Sequence, residues 1–449
     1  MIFKNQLFKI IKPIWYFSLN SEKNKIYWVD FKKKDFKNIN LYDKTDQYES
    51  EKIFKYDIAY QLWHKGYIDS EGSFSMENNQ EDEYSINDQY LFLRRMFNPI
   101  WFYYTIIIRI LVFKFSLEDF KAIIKSKNIK KISIDTPYYK YSNYSKFKSQ
   151  LIKKNPLITI IIPTLNRYSD LLNALKDLEK QIYKNFEVLI VDQSDSFNPK
   201  FYDSFKLKIK LFHQLDRGLW KARNKAIKES SSEYLLFFDD DSRVNSNWII
   251  EHLKCLDFFK ADVSSGVSIS KVGASVPSHY EYFRWADQLD TGNVLIKKNV
   301  FIQCGLFDLQ FEGMRMGDGE FGLRVYLKGL KNISNPFAKR IHLKTSVGGL
   351  REIGSWDGFR PNNWFSPKPI PSVLYFYRKY WGDKSALLYM LKILPISLSP
   401  YSLKGTKMGT LLSLLLFFST FPILIFQVHK SWTISKKMLD QGDLIESFN

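Results

Sequence analysis

Three consecutive carboxylates follow an apolar run in the middle of the chain. Asp239, Asp240 and Asp241 come directly after Tyr234–Phe238, a short run of aromatic and aliphatic residues that is typical of a buried strand. Adjacent carboxylates repel one another, and partial shielding from water at a sheet end strengthens the repulsion. A hard divalent cation such as Mg²⁺ relieves it. The triplet therefore predicts a metal site, and the alternative is a solvated acidic turn.

A second pair of carboxylates, Asp318 and Glu320, lies at the start of a predicted late helix. A carboxylate can accept a proton from a reacting group, so both residues are candidate catalytic bases. The glycines on either side of Asp318 leave room for the close approach of a substrate. The alternative is that Asp318 only caps the helix, where the helix dipole would make it a weaker base.

Alternating strands and helices must position these carboxylates. Short apolar runs predict four buried strands, at Leu157–Ile162, Phe186–Val191, Lys208–Phe212 and Tyr234–Phe238. Helices are predicted between them, one with Ser169 as its N-cap and apolar residues through Ile182, and one over Gly218–Lys228. This alternation favours a parallel sheet, whose ligands bind beyond the carboxyl ends of the strands. The polar residues that follow these strands are Thr164, Asn166, Asp192 and the acidic triplet.

The composition bounds the class of protein. The chain has 449 residues, 45% of them hydrophobic and 25% charged, which excludes wholesale disorder and predicts two to three domains. Its two cysteines, Cys255 and Cys304, exclude a disulfide scaffold and indicate a reducing compartment. A net charge of +19 with 17% aromatic residues suggests nucleic acid, an anionic membrane surface or an anionic substrate as partner.

Most of the excess charge lies near the carboxyl terminus. Between Lys331 and Lys437 there are 16 basic and three acidic residues, around the uncharged segment Met408–Val428. That segment has the length of a membrane span, but Pro422 lies inside it, so surface association, spanning and a buried helix all stay open. Basic residues beside an apolar segment favour docking on an anionic leaflet. For the second apolar segment, Phe97–Phe115, a core element is favoured over an interfacial helix.

Six segments in order resemble family 2 glycosyltransferases. They are PLITIIIPTLNR (156–167), VLIVDQSD (188–195), RGLWKARNKAI (217–227), YLLFFDDDS (234–242), TGNVLIKKNVFIQCGLFD (291–308) and GDGEFGLRVYLKG (317–329). The resemblance implies a GT-A fold, an α/β architecture with a Rossmann-like, mostly parallel sheet and helices on both faces. We expect this domain over residues 151–350, after an N-terminal domain (1–150) of unknown role and before a helical, apolar C-terminal region (351–449).

The resemblance also implies residues that bind the nucleotide sugar. Thr164, Asn166 and Asp192 stand where the family holds the nucleotide base, and an ionised carboxylate suits the N–H of a uracil or guanine edge. Arg223 is expected to contact phosphate or base, with a salt bridge on the helix surface as the alternative. Asp240 is a candidate contact of the ribose.

The family's metal-binding DXD pattern falls on Asp239 and Asp241, which implies Mg²⁺ or Mn²⁺ as cofactor. Some GT-A enzymes place a histidine on the metal after the late helix, and His342 stands there, with a structural role as the alternative. Nearby Lys339, Arg340 and Lys344 could meet diphosphate charge or form a solvated basic face. In the family the base is the Asp of a Glu-Asp pair. The late helix aligns Asp318 with that Asp and puts Gly317 in place of the Glu, so Asp318 is the implied base and Glu320 is the second candidate.

The implied activity is inverting transfer of a sugar from a nucleotide-diphosphate sugar to a hydroxyl of a glycan or lipid-linked acceptor, in cell-surface polysaccharide synthesis. Trp285–Asp287 and Gly348–Arg360 are expected to shape the acceptor site. The lysines that interrupt the apolar N-terminus predict no signal peptide, so we expect a cytoplasmic enzyme, peripheral to or anchored at the inner face of the cell membrane. The alternatives are a nucleotidyltransferase-type α/β enzyme and a non-catalytic basic protein that binds membrane or nucleic acid. Nucleic acid is not expected, since no recognised binding motif is present.

Overall fold

The computed structural model describes residue 7 and residues 26–28, 42–68, 74–76, 84–136, 138–270, 278–286, 289–344, 359, 363–403 and 406–448. The chain forms two compact units. Unit 1 combines Met1–Lys65, Phe74–Pro137 and Ile353–Gly442, so it joins segments from both ends of the chain. Unit 2 combines Gly66–Ser73, Tyr138–Glu352 and Asp443–Asn449.

The helices fall into two groups. Those of unit 1 are α1 (Glu51–His64), α2 (Ile86–Met96), α3 (Pro99–Leu111), α4 (Leu117–Lys125), α11 (Pro371–Ile393), α12 (Lys407–Ser419) and α13 (Phe421–Gln441). Those of unit 2 are α5 (Gln150–Lys154), α6 (Tyr168–Glu179), α7 (Leu219–Glu229), α8 (Trp248–Phe259), α9 (Asn299–Cys304) and α10 (Gly317–Leu327).

The strands β1 (Ile26–Trp28) and β2 (Phe74–Met76) pair antiparallel in unit 1. The other strands form one nine-stranded sheet in unit 2. They are β3 (Ile158–Thr164), β4 (Phe186–Asp192), β5 (Ile209–His213), β6 (Tyr234–Phe238), β7 (Ser242–Val244), β8 (Val263–Ser270), β9 (Arg284–Trp285), β10 (Asn293–Lys297) and β11 (Asn332–His342).

The sheet has a parallel half and a mixed half. Its order is β5-β4-β3-β6-β10-β8-β11-β7, with β9 paired to β11. The strands from β5 to β6 run parallel, β10 pairs antiparallel with both β6 and β8, and β8 pairs parallel with β11. Strands β3, β4 and β6 are buried along their whole length, as continuous apolar runs in a covered sheet require. The predicted α/β class with a Rossmann-like half is therefore confirmed.

The predicted strand bounds agree with the structure to within two residues, and Tyr234–Phe238 agrees at both ends. The prediction for the first helix is wrong at its ends. It begins at Tyr168, with Arg167 as a cap residue that makes no side-chain capping bond, so Ser169 lies inside the helix. Its last residue is Glu179, and Ile182 beyond it is 60% exposed.

Helix α3 contradicts the core element that we favoured for Phe97–Phe115. The segment does form a helix, but Phe102 and Thr105 are its only buried residues. Among the described residues, no single helix combines the length and apolarity of a membrane span. One pair, α12 with α13, passes that test jointly and is bent by 84°.

The chain returns to unit 2 at its last described residues. The Leu306 N–H donates to the Glu446 carbonyl at 2.9 Å, and the Leu444 N–H donates to Asp308 Oδ1 at 3.0 Å. Lys228 and Glu446 form an ion pair beside this contact. These bonds attach residues 443–448 to the segment between α9 and α10, even though helices of unit 1 precede them in the chain.

A buried histidine joins α8 to the sheet. His252 is fully buried, with Nδ1 3.0 Å from the Ser264 hydroxyl and Nε2 3.1 Å from Asn293 Oδ1. Asn293 Oδ1 also accepts from Trp248 Nε1, so the neutral imidazole with its proton on Nε2 satisfies every partner. Burial lowers the pKa of His252 to about 4.

We expect His252 to make unit 2 less stable in mild acid. Because its pKa is about 4 in the folded chain and 6.5 in the reference state, the unfolded chain binds more protons between these values, and stability falls as the pH falls through that window. From pH 7 to pH 5 the loss is about 2 kcal/mol. The melting temperature, measured by thermal unfolding across this range, should fall less steeply with falling pH for His252→Gln than for the parent. Parallel slopes would contradict the assignment.

Candidate functional site

The carboxyl ends of three parallel strands bring the predicted residues together. In the parallel register Thr164 of β3 pairs with Asp192 of β4, and β6 on the other side of β3 leads directly into the acidic triplet. Asp240 and Asp241 are buried, and Asp239 is only partly exposed. The alternative of a solvated acidic turn is therefore wrong.

Asp239 is held between two buried guanidinium groups. Arg223 Nη2 of α7 donates to its Oδ1 at 2.8 Å, and Arg340 Nη1 of β11 donates to its Oδ2 at 2.8 Å. Burial on its own would raise the pKa of Asp239, but the charges of Arg340 and Arg223 outweigh burial and hold it well below its ordinary value. Arg223 also donates to the Thr291 carbonyl and is 1% exposed, which excludes a salt bridge on the helix surface.

Arg340 links Asp239 to a fourth carboxylate. Its Nη2 lies 3.0 Å from both oxygens of Asp290, and its Nη1 donates to the Ser242 hydroxyl at 3.0 Å. These bonds raise the pKa of Arg340 further, and the charge of Arg340 lowers the pKa of Asp290 against the effect of burial. A solvated basic face is therefore wrong for Arg340. The described contacts of this guanidinium hold carboxylates in place.

Asp240 is the most weakly ionised carboxyl of the triplet. Its Oδ2 accepts from the Thr164 hydroxyl at 2.7 Å, and its Oδ1 lies 3.3 Å from Arg167 Nη1. Burial raises the pKa of Asp240 to about 7, Arg167 opposes the rise, and the neighbouring Asp241 adds to it. One proton between the carboxyl groups would relieve their repulsion, and so would a cation.

Asp241 forms the potential metal centre with Asp239 and His342. His342 Nε2 lies 3.1 Å from Asp241 Oδ1, and one donor atom from each of the three residues falls within 4.8 Å of the others. Burial opposes ionisation of Asp241, but the hydrogen bond from His342 lowers its pKa overall. Two carboxylate oxygens and an imidazole nitrogen suit Mn²⁺ or Mg²⁺, and they leave coordination positions for water and phosphate. The donor set thus fits the predicted cofactor.

The candidate base-binding residues occupy different environments. Asp192 is fully buried, and its Oδ2 accepts from the hydroxyls of Tyr168 at 2.6 Å and Tyr202 at 2.8 Å. Asn166 is exposed at the same sheet edge with a positive φ of 54°, and its side-chain amide donates to Asp195. Asn166 is therefore accessible at this edge, whereas the Asp192 carboxylate is buried and already accepts from Tyr168, Tyr202 and the Ser194 N–H.

The two candidate catalytic carboxylates are clearly different. Asp318 is partly exposed in the first turn of α10, and its Oδ1 accepts from the Gly319 N–H at 2.9 Å. Glu320 is fully buried and forms an ion pair with Arg324 at 2.9 Å. Arg324 also donates to the carbonyls of Cys304 and Leu306. Glu320 therefore anchors α10 to the preceding segment, while Asp318 is the carboxylate that a substrate can approach.

At Gly317 the missing side chain leaves room for a neighbouring residue, and not for a substrate as predicted. A Cβ at this position would overlap the indole ring of Trp220, whose Nε1 donates to the Phe311 carbonyl. The indole thus fills the space that a side chain at residue 317 would need. At Gly319 a Cβ would only touch the flexible Met316 side chain at 3.4 Å, so this position does leave room.

Two contributors were missed at the level of sequence. Arg167 lies 3.3 Å from Asp240 and 3.5 Å from Asp241, and its own motif predicts no such contact. Glu312 accepts from three backbone N–H groups at the start of α7, those of Leu219, Trp220 and Lys221. It thereby fastens the helix that carries Arg223.

The predicted acceptor region is only partly described. Trp285 is buried in β9, which pairs with β11. Asp287 and most of Gly348–Arg360 lie outside the described residues. Lys339 is exposed on β11, and Lys344 lies just beyond the end of that strand.

Part of unit 2 is similar to known proteins. Residues 159–313 match the family model "Glycosyl transferase family 2", which confirms the resemblance seen in the motifs. An uncharacterized glycosyltransferase of Rickettsia conorii is 30% identical over 129 residues, 28% of this chain and 21% of that protein. The match therefore spans about a fifth of the length of that relative.

A "PGL/p-HBAD biosynthesis glycosyltransferase" of Mycobacterium tuberculosis is 23% identical over 224 residues, 44% of this chain and 78% of that protein. Among solved structures, residues 1–349 of Staphylococcus aureus TarS in complex with UDP-GlcNAc align with a TM-score of 0.43 and 16% identity. That alignment covers 63% of this chain and 83% of the other.

We expect Gly292→Ala to destabilise unit 2. A Cβ at residue 292 would overlap both Arg340 Nη1 and Asp239 Oδ2, and a buried ion pair cannot give way without losing its bonds. The expected cost is about 1–3 kcal/mol, measured by thermal or chemical unfolding. Gly319→Ala is the matched control, because its Cβ meets only a flexible side chain and alanine favours a helix. Equal melting temperatures for the two variants would show that the space beside Arg340 is not limiting.

Proposed function

We propose that this chain transfers a sugar with inversion from a nucleotide-diphosphate sugar to an acceptor hydroxyl. The starting point is the match of residues 159–313 to the model of glycosyl transferase family 2. The observation that carries the proposal is the convergence of Asp239, Asp241 and His342 at the carboxyl end of the parallel strands. Nucleotides bind at that edge in open α/β sheets.

The metal ligands are proposed to be Asp239, Asp241 and His342, with Mn²⁺ or Mg²⁺ as the ion. When bound, the ion supplies positive charge to the leaving diphosphate, so no protein acid is needed there. Asp239 enters this role already ionised and fixed by Arg223 and Arg340. His342 Nε2 faces Asp241 Oδ1 at 3.1 Å, and binding of an ion by that nitrogen would replace this contact.

Arg167 is proposed to exchange partners when the donor binds. In the ligand-free chain its guanidinium neutralises Asp240 and Asp241 at 3.3 and 3.5 Å. Both are long for charge-assisted hydrogen bonds, which are normally about 2.7–2.9 Å, so these contacts are weak ones. An ion at Asp241 would repel Arg167, and the donor diphosphate would attract it.

Asp318 is proposed as the base. The acceptor oxygen forms a bond to C1 of the sugar while the bond from C1 to the diphosphate oxygen breaks. The hydroxyl proton passes to a carboxylate oxygen of Asp318, and the electron pair of the broken bond leaves on the nucleoside diphosphate. A single displacement of this kind inverts the configuration at C1 and needs one carboxylate, which agrees with the commitment of Glu320 to Arg324.

Nucleoside diphosphate sugars are the proposed donors, and a glycan or lipid-linked hydroxyl is the proposed acceptor. Polysaccharide or glycoconjugate synthesis is the corresponding process. The mycobacterial relative is named for PGL/p-HBAD biosynthesis, which supports a glycoconjugate acceptor. Mn²⁺ is the first ion to test, because the donor set includes an imidazole nitrogen besides carboxylate oxygens.

Opposite changes in metal affinity are expected for two variants. Asp241→Ala removes a ligand and should weaken Mn²⁺ binding at least tenfold. Arg167→Met removes a positive charge beside the carboxylates, and should tighten binding of the free ion severalfold while weakening binding of the nucleoside diphosphate. Isothermal titration with Mn²⁺ alone, and then with UDP or GDP, separates the two effects. Lys221→Met, which removes a cation that pairs with Asp216, is the control and should leave both affinities unchanged. Weaker Mn²⁺ binding by Arg167→Met would refute the exchange.

Asp318→Asn is expected to lower the rate of sugar transfer by about 10²–10⁴. Its melting temperature and its affinity for nucleotide and metal should stay near those of the parent, because the side chain is partly exposed and keeps its size. Glu320→Gln should instead lower the melting temperature, since it leaves Arg324 without its buried partner. Transfer at the parental rate by Asp318→Asn would remove Asp318 from the mechanism.

A further inference from the structure

Two helices of unit 1, α3 and α12, expose large apolar side chains along one face. In α3 the exposed side chains Ile100, Tyr103, Ile107 and Ile110 recur every three or four residues, so they form a stripe along one face. In α12 the same spacing relates the exposed Met408, Leu411, Leu415 and Phe418. The buried residues of α12 are Gly409 and Ser413. This pattern is the reverse of the one that a helix adopts at a water-facing surface.

Three buried polar side chains of this region have hydrogen-bond partners inside unit 1. Ser413 donates to the Pro395 carbonyl at 2.6 Å, and Ser431 of α13 donates to the Pro369 carbonyl at 2.6 Å. Gln427, also in α13, donates to the Trp364 carbonyl at 2.9 Å. Small and hydroxyl residues at helix contacts, with apolar residues pointing away, are typical of helices whose surroundings are lipid.

The turn between α3 and α4 exposes a further apolar group. Phe113 is 97% exposed and Leu117 is 80% exposed, and four more large side chains surround them. We call these residues the apolar turn: Leu111, Val112, Phe113, Phe115, Leu117 and Phe120. Phe113 also has a positive φ of 54°, a conformation that normally falls to glycine or asparagine after a helix. In water nothing offsets the free-energy cost of the strained backbone or of the exposed ring. An apolar medium would remove the cost of exposing the ring.

Basic side chains accompany both apolar surfaces. Residues 99–131 carry seven Lys or Arg and two acids, and one of those acids, Asp119, is buried in an ion pair with Arg109. Residues 406–437 carry four lysines and no acid, namely Lys407, Lys430, Lys436 and Lys437. Lys114, Lys121, Lys127, Lys130 and Lys131 are all exposed near the apolar turn. This charge complements a negatively charged surface and gives no advantage in contact with a second copy of the same chain.

We propose that unit 1 docks on an anionic lipid bilayer through the apolar turn, the stripes of α3 and α12, and the exposed Phe421, Ile425 and Phe426 of α13. The lysines lie among the headgroups, and the apolar side chains enter the acyl region. Helix α12 has 13 residues, a length of about 20 Å against about 30 Å of hydrocarbon. Because α13 turns away by 84°, the pair lies along one leaflet. The proposal does not depend on the activity of unit 2.

Environment-sensitive labelling tests this docking. Cysteines are introduced singly as Phe113→Cys and Phe418→Cys and labelled with a nitrobenzoxadiazole dye, while the native Cys255 and Cys304 are buried. The matched control is Leu215→Cys in unit 2, which is 84% exposed and outside the proposed surface. Vesicles of phosphatidylcholine with phosphatidylglycerol should increase and blue-shift the emission at residues 113 and 418 and leave residue 215 unchanged. Vesicles of phosphatidylcholine alone should give a weaker response.

Cosedimentation of the full chain with the same vesicles gives the second readout. Replacement of both Phe113 and Leu117 by serine should lower the partition coefficient about tenfold or more, because each replacement removes a large apolar area that the bilayer would otherwise bury. Leu215→Ser should partition like the parent. Two results would overturn the proposal. They are parental partitioning of the double variant and a dye response that follows protein concentration without lipid.

Discussion

The neutralisation of adjacent carboxylates is the constraint on which unit 2 depends. Asp239, Asp240 and Asp241 meet at the end of one buried strand, and burial makes each unpaired charge costly. Guanidinium groups from three different elements meet this cost: Arg167 before α6, Arg223 on α7 and Arg340 on β11. The sheet order is the arrangement that lets them converge, and Glu312 and Asp290 hold two of these elements in turn.

The same arrangement explains which parts of the site could be predicted from sequence. The strands β3, β4 and β6 are continuous apolar runs, and the carboxylates that follow them are visible as a pattern. The expectation for His342 came from the resemblance alone, and Arg340 was left with two alternatives, because β11 was not predicted. In β11 buried residues alternate with exposed ones from Ala338 to His342, and this alternation puts both side chains on the inner face. Arg167 was not predicted for another reason. It follows β3, but its partners Asp240 and Asp241 follow the neighbouring strand β6.

Unit 1 shows the limit of an argument from hydrophobicity alone. An apolar segment such as Pro99–Leu111 satisfies the composition of a core helix, and that was the prediction we favoured. Which face of a helix is buried depends on the neighbours that it packs against. Here α3 buries only Phe102 and Thr105, and α12 buries only Gly409 and Ser413, so large apolar side chains of both helices are exposed. Composition predicts the helix and its affinity for apolar surroundings, and only packing decides whether those surroundings are protein.

The place of β11 in the sheet has a consequence for the minimal catalytic fragment. The family match ends at residue 313, but β11 is formed by Asn332–His342 and lies between β8 and β7. A protein shortened to the matched region would keep the acidic triplet and lose Arg340, so its carboxylates would repel one another inside an opened sheet. The smallest autonomous piece of unit 2 therefore has to extend at least to residue 342. The matched region is a recognisable segment of the chain, but it is not a module that can be excised.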